Sequence, residues 1–225
     1  MKKLINAILF DLDGTLIDHL PAICRCYNQT LREFGCKERS REEMRKLIGP
    51  TLPEIVAQLL PAEKQTLLGD FCQRFRTLMA ATYLDGLSPM PGAMWILGRL
   101  KKLGKKVAIF TNKLQTHADL ACNALGLNRH TDVILGTESE NEGLRKPDPA
   151  FTEKVLGIIG ADADSAAMVG DSSIDMATGD LGGLCATFGV TTGTNTREEL
   201  LACHHPPAAV FENLFELGQD IFGLI

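Results

Sequence analysis

Short, nearly unbroken apolar runs alternate along this chain with longer stretches whose apolar residues recur every three or four positions. The runs are residues 4–10, 106–110, 132–135, 166–169 and 184–188. Each is too short for a typical helix and too apolar for a half-exposed strand, which predicts strands covered on both faces. In 93–103, Met94, Leu97, Leu100 and Leu103 line one helical stripe, and Gly104 suits a C-terminal stop. In 149–159, Asp148 is a good N-cap, Pro149 fits the first turn, and Phe151, Val155, Ile158 and Ile159 follow at helical spacing. Strand–helix alternation of this kind predicts an α/β fold, a doubly wound parallel sheet with helices on both sides.

Residues 19 to 84 break the rhythm. They carry no strand pattern but three helical stripes: Ala22, Ile23, Cys26, Tyr27, Leu31 and Phe34; Ile55, Val56, Leu59 and Leu60; Leu67, Leu68, Phe71, Phe75 and Leu78. Gly35, Pro53 and Pro61 punctuate them. The expected organisation is therefore a core of residues 1–18 and 86–225 with an α-helical cap, 19–85, inserted after the first strand. The Gly- and Pro-rich segment 85–92 reads as the return hinge, one of two linkers on which the cap could rock over the strand ends.

Composition narrows the partners. The 225 residues carry a net charge of −5, and the pairs Lys101-Lys102 and Lys105-Lys106 form no basic stripe, which argues against nucleic acid. No apolar segment approaches the length needed to span a bilayer, and the Lys2-Lys3 start is followed too soon by Asp11 and Asp13 to read as a signal peptide. Seven cysteines, scattered and odd in number, predict reduced thiols in a cytoplasmic protein. Nothing in the pattern specifies an oligomeric state.

Ligands of open parallel sheets sit beyond the carboxyl ends of the strands. The first run ends in Asp11-Leu12-Asp13-Gly14-Thr15, the second in Thr111-Asn112-Lys113, and the fourth in Gly170-Asp171-Ser172-Ser173-Ile174-Asp175; Lys146-Pro147 lies in a connection leading to a helix. Asp11 and Asp13, two apart at a strand end, direct both carboxylates to one edge of the sheet. His117, His204 and His205 lack partners at catalytic spacing, whereas His19 borders the cap hinge and is a candidate substrate contact.

In this order and context the motifs resemble the haloacid dehalogenase superfamily of phosphatases and phosphotransferases. That family places DxDGT after strand one, Thr or Ser after strand two, Lys further on, and GDxxxD after strand four. The resemblance spans essentially the whole chain, and the helical insertion resembles the family's α-helical cap class. It implies that Asp11 is a nucleophile forming an aspartyl-phosphate, and that Asp13 is the acid and then the base. It implies Mg²⁺ held by Asp11, the Asp13 carbonyl and Asp171, with Asp175 orienting metal waters or Lys146. Thr111 and the Asn112 backbone N–H would hold a phosphoryl oxygen, and Lys146 would neutralise transition-state charge. One divalent cation and Lys146 offset three of the four carboxylates, so a neutral Asp13 is expected at the first step.

The arrangement looks most like the phosphoglycolate phosphatase and β-phosphoglucomutase branch. The stretch Arg45-Lys46-Leu47-Ile48-Gly49-Pro50-Thr51-Leu52 resembles the phosphatase cap loop, in which Arg45 could fork onto a substrate carboxylate. Gly170 and Leu52 stand where the mutase pattern has Glu and Arg. The expected activity is hydrolysis of a small phosphorylated metabolite, 2-phosphoglycolate first. The alternatives are phosphoryl transfer to a sugar phosphate, hydrolysis of pyrophosphate, and non-catalytic phosphate binding.

Overall fold

The computed structural model describes residues 4–47, 51–139 and 143–224. Its strands are β1 (Ala7–Phe10), β2 (Ile17–Asp18), β3 (Ser88–Pro89), β4 (Lys106–Leu114), β5 (Val133–Thr137), β6 (Ala166–Gly170), β7 (Ala186–Val190) and β8 (Ala209–Phe211). Its helices are α1 (Leu20–Glu33), α2 (Arg41–Leu47), α3 (Leu52–Leu59), α4 (Leu68–Thr82), α5 (Ala93–Lys102), α6 (Gln115–Leu125), α7 (Pro149–Ile159), α8 (Ser173–Leu181), α9 (Arg197–Ala202) and α10 (Leu214–Phe222). The chain divides into two compact units, Met1–Asp18 with Ser88–Ile225, and His19–Leu87.

The first unit is built on six parallel strands in the order β5-β4-β1-β6-β7-β8. All four residues of β1 are fully buried. Ala7 and Leu9 join Phe110, Met168, Phe151 and Val155 under α7; Ile8 and Phe10 point the other way, and their burial means that face is covered too. The chain leaves β1 for β4 on one side and β6 on the other, so the sheet reverses its winding at β1, where such folds bind their ligands. Asp148 caps α7 through its side chain, accepting from the Ala150 N–H at 2.9 Å, as its sequence predicts.

Several boundaries differ from those read in the sequence. β1 begins at Ala7, because Leu4 is exposed and its segment lies outside the sheet. β4 runs on through Thr111, Asn112 and Lys113, with a register irregularity between Phe110 and Leu114 against β5. The polar end of this strand hid its length. Gln115 holds the bulged segment by accepting from the Gly136 N–H at 2.7 Å and donating to the Ile134 carbonyl at 3.1 Å. β8 and the two-residue antiparallel pair β2–β3 carry too few residues for an apolar pattern to register.

The second unit packs α1 to α4 around Tyr27, Leu31, Met44, Val56, Phe71 and Phe75. Tyr27 and Phe75 stack with ring centroids 4.2 Å apart. Arg74 on α4 forks onto Glu33 of α1, at 2.6 and 2.8 Å. Arg45 lies on α2, a helix rather than a loop; Ile48, Gly49 and Pro50 of the proposed cap loop lie outside the described residues. His19 Nε2 is 2.8 Å from the Tyr83 carbonyl, within this same unit.

Candidate active site

Asp11 follows directly on β1, and its N–H is bound to the Val169 carbonyl of β6 at 2.9 Å. The backbone ladder thus continues one residue past the strand and fixes where the carboxylate emerges. Asp171 and Asp175 arrive from the turn after β6 and the first turn of α8. Oxygens of Asp11, Asp171 and Asp175 lie within 4.8 Å of one another, and all three residues are buried. Into this cluster reaches Lys146, donating to Asp11 Oδ1 at 2.5 Å and to Asp175 Oδ1 at 2.6 Å. The structure therefore brings together four sequence-predicted residues from three separate stretches of chain.

Each carboxylate is held from several sides. Ser172 caps α8 with Asp175, whose Oδ2 accepts from the Ser172 hydroxyl at 2.6 Å and its N–H at 3.1 Å. Asp171 Oδ1 accepts from the Thr15 hydroxyl at 2.9 Å, and Oδ2 from the Thr194 N–H at 2.6 Å. The backbone presses close: a Cβ at Gly14 would come 2.7 Å from Asp171 Oδ2, and one at Gly193 only 2.0 Å. Gly14 also adopts a φ of +89°, which glycine reaches without strain. Thr15 belongs to the motif that follows the first apolar run, whereas nothing in the sequence singles out Gly193 and Thr194. The loop after β7 could have been flagged by the strand-end rule, but nothing in its residue types marks it.

Thr111 and Asn112 end the ordinary register of β4. The Thr111 hydroxyl accepts from the Lys113 N–H at 3.1 Å. The Asn112 side chain clamps the Lys146 backbone, accepting from its N–H at 2.7 Å and donating to its carbonyl at 3.0 Å. The Lys146–Pro147 peptide is cis. Both Asp13 oxygens accept from Lys113 Nζ, at 2.9 and 2.8 Å. Lys113 has no role in the sequence motifs; its place at the polar end of the second apolar run, where ligands of such sheets sit, is the signal that could have found it.

The electrostatics follow from burial. Burial pushes the Asp11 carboxyl well above the ordinary carboxylate range; Lys146 opposes the rise, and Asp175 and Asp171 add to it. Burial, then Asp175, pushes Asp171 up to about 6 against the hydrogen bonds from Thr194 and Thr15. For Lys146 burial alone would favour the neutral amine, but Asp11 and Asp175 outweigh it and raise its pKa. Three buried carboxylates thus share one ammonium, while Asp13 and Lys113 balance each other. With all three carboxylates ionised, one ammonium leaves two negative charges in an all-oxygen donor set, and a hard divalent cation fits that deficit.

This sheet, with carboxylates and a lysine converging at its winding reversal, defines a hydrolase built on an α/β core. The chain belongs to the haloacid dehalogenase-like hydrolase family, which it matches over residues 8–186. It is 32% identical over 222 residues to a phosphoglycolate phosphatase of Rhodospirillum rubrum, covering 95% of this chain and 90% of that protein. It is 31% identical over 206 residues to the pyrophosphatase PpaX of Bacillus pumilus, covering 91% of each. A haloacid dehalogenase-like hydrolase of Streptococcus pneumoniae shares the fold, with a TM-score of 0.82 at 23% identity over 95% of this chain and 96% of that one. Among the described residues no helix is long and apolar enough to cross a membrane.

Proposed function

We propose that the protein hydrolyses small phosphomonoesters through a phosphorylated Asp11, with 2-phosphoglycolate the first candidate substrate. The observation that carries this reading is the contact of Lys146 with both Asp11 and Asp175 inside the three-carboxylate cluster. A mere phosphate-binding protein gains nothing from burying three like charges. A nucleophile that must stay ionised beside a phosphate does, provided cations hold it so.

Asp11 attacks phosphorus, the ester P–O bond breaks, and the leaving oxygen takes its proton from the Asp13 carboxyl. In the second step water attacks phosphorus, its proton passes to Asp13, and the bond to Asp11 breaks to release phosphate. Thr111 and the Asn112 N–H hold a phosphoryl oxygen, while the Asn112 side chain also aims Lys146 through its backbone. Lys146 favours the ionised form of Asp11 against its burial and stabilises charge that gathers on the phosphoryl oxygens. The cation we propose is Mg²⁺, held by Asp11, the Asp13 carbonyl and Asp171, and it would neutralise phosphoryl charge when bound. Asp175 Oδ1 accepts from Lys146 and Oδ2 from Ser172, which supports an orienting role. Arg45 remains a candidate for pairing with a substrate carboxylate, and His19 for touching the substrate.

Pyrophosphate is the second reading, favoured by the similarity to the Bacillus pumilus enzyme. Phosphoryl transfer is disfavoured, because a Cβ at position 170 would lie 2.3 Å from Asp175 Cβ. The Glu of the mutase pattern would therefore displace Asp175. Seven free cysteines support a reducing, cytoplasmic setting for a small phosphorylated metabolite as partner. The test is Asp11→Asn assayed with p-nitrophenyl phosphate and Mg²⁺, with the wild type probed for a trapped phosphoenzyme. Loss of turnover in a folded variant is expected. Turnover that survives the substitution overturns the covalent route.

A further inference from the structure

β4 does not pair evenly with β5. Phe110 lies opposite Leu135 and Leu114 opposite Thr137, so Thr111, Asn112 and Lys113 together stand against Gly136 alone. A bulge of this kind re-aims the side chains at a strand end. It rests directly on β5, where a Cβ at Gly136 would come 2.5 Å from the Lys113 carbonyl oxygen. Gln115 ties its far end to Gly136 and Ile134. Its middle is held by Thr137, whose buried hydroxyl donates to the Asn112 carbonyl at 3.2 Å.

We propose that Thr137 is a positioning residue for the reaction: its hydroxyl fixes Asn112, and Asn112 fixes the backbone of Lys146. The inference rests on the phosphatase reading above and adds to it a residue that none of the sequence motifs contains. Asn112 is gripped at both ends. Its carbonyl accepts from Thr137, and its side chain spans the Lys146 N–H at 2.7 Å and carbonyl at 3.0 Å. From that backbone the lysine reaches Asp11 at 2.5 Å and Asp175 at 2.6 Å. A run of hydrogen bonds therefore leads from β5 through Asn112 and Lys146 to the nucleophile at the end of β1.

A role confined to the sheet does not call for a hydroxyl. A β-branched side chain suits a buried strand end, but valine meets that need and brings no polar atom. A buried hydroxyl is unfavourable unless it is bonded, and the partner it finds here is the bulge that carries Asn112. Without it, Gln115 still joins the bulge to β5, while Asn112 is free to shift and carries Lys146 with it. A misplacement of about 1 Å can cost about a hundredfold in rate. The long lysine stem absorbs part of such a shift, which sets the expected loss at about tenfold.

The experiment measures kcat and KM for p-nitrophenyl phosphate with Mg²⁺, normalised to folded protein. It compares wild type, Thr137→Val, Thr137→Ser, Asn112→Ala and the double variant carrying Thr137→Val and Asn112→Ala. Thr137→Val should lower kcat by about tenfold with KM little changed, and Thr137→Ser should recover most of the loss. Asn112→Ala keeps the backbone N–H but deletes the clamp, so adding Thr137→Val to it should cost no more than about twofold further. A purely structural contribution would lower the melting temperature in both backgrounds and leave kcat of the folded fraction unchanged. An unchanged kcat in Thr137→Val, a Thr137→Ser as slow as Thr137→Val, or an equal loss in both backgrounds overturns the inference and leaves the phosphatase reading standing. If Thr137→Val does not fold, Thr137→Ala takes its place in the comparison, and failure of both to fold overturns the inference as well. A wild type inert toward p-nitrophenyl phosphate and 2-phosphoglycolate overturns the phosphatase reading itself, and the role of Thr137 with it.

Discussion

The Thr15 hydroxyl donates to Asp171 Oδ1 at 2.9 Å, although 156 residues of chain separate them. This bond joins the turn that follows β1 to the turn that follows β6, and it holds a proposed metal ligand from the side of the nucleophile's own loop. Thr15 is fully buried, so no water takes over if the hydroxyl is removed. Thr15→Val should weaken Mg²⁺ binding by about tenfold, the usual effect of losing a hydrogen bond to a ligand carboxylate. Thr15→Ser should restore it. Calorimetric titration with Mg²⁺ measures both.

Gly193 gives the complementary steric prediction. A methyl there would overlap Asp171 Oδ2 at 2.0 Å, and the Thr194 N–H that fixes the same oxygen sits on the next residue. Gly193→Ala should cost about 1–3 kcal/mol of stability through overpacking. It should also depress Mg²⁺ affinity more than Thr15→Val does. Chemical denaturation with and without Mg²⁺ separates the two effects, because a purely structural defect would leave the Mg²⁺-dependent increment intact.

Lys146 is the ammonium that meets the buried cluster, and its side chain packs with Nζ 5.9 Å from the Phe110 ring centre. Lys146→Met keeps most of the stem and deletes the charge. Turnover should fall by several orders of magnitude, and stability by about 3–5 kcal/mol, the range seen when one partner of a buried ion pair is removed. Added Mg²⁺ should recover part of the stability but not the turnover. Melting curves and kcat measured on the same preparation test this.

The α-helical unit carries a pH prediction unconnected with catalysis. The Arg74 fork, followed by Gln29, holds the Glu33 carboxyl down at about 2, below its ordinary 4.5. A folded-state pKa below the unfolded value means that the stabilisation is present above about 4.5 and is lost as pH falls toward about 2. The pair is solvent-exposed, so the effect is small and salt-sensitive. Wild type should melt slightly above Glu33→Gln near neutral pH, and the two curves should converge as pH approaches about 2.

The parallel core and its strand-end chemistry were legible in the sequence because buried strands leave continuous apolar runs, and ligand-bearing residues follow them directly. Asp11, Asp171 and Asp175 could be named as candidates for that reason, whereas Lys146, in a connection away from any strand end, was named through the family resemblance. Lys113 was passed over because β4 continues, bulged and polar, beyond the last apolar residue, and the strand pattern stops where the polar residues begin. Arg45, on α2, resists such reading for a different reason: whether a surface side chain meets a ligand depends on tertiary geometry, which no periodicity encodes.

Local patterning by itself determined the class of fold, the helical character of the described residues between 19 and 84, and the residue types delivered to the sheet edge. Only the tertiary structure decided that Lys113 faces Asp13, that Thr15 and Thr194 each hold one oxygen of Asp171, and that Asn112 steadies Lys146. The physical reason is range. Hydrophobic periodicity is a property of neighbours in sequence, whereas ion pairs and hydrogen bonds join groups that only the packing of the sheet brings within 3 Å of each other.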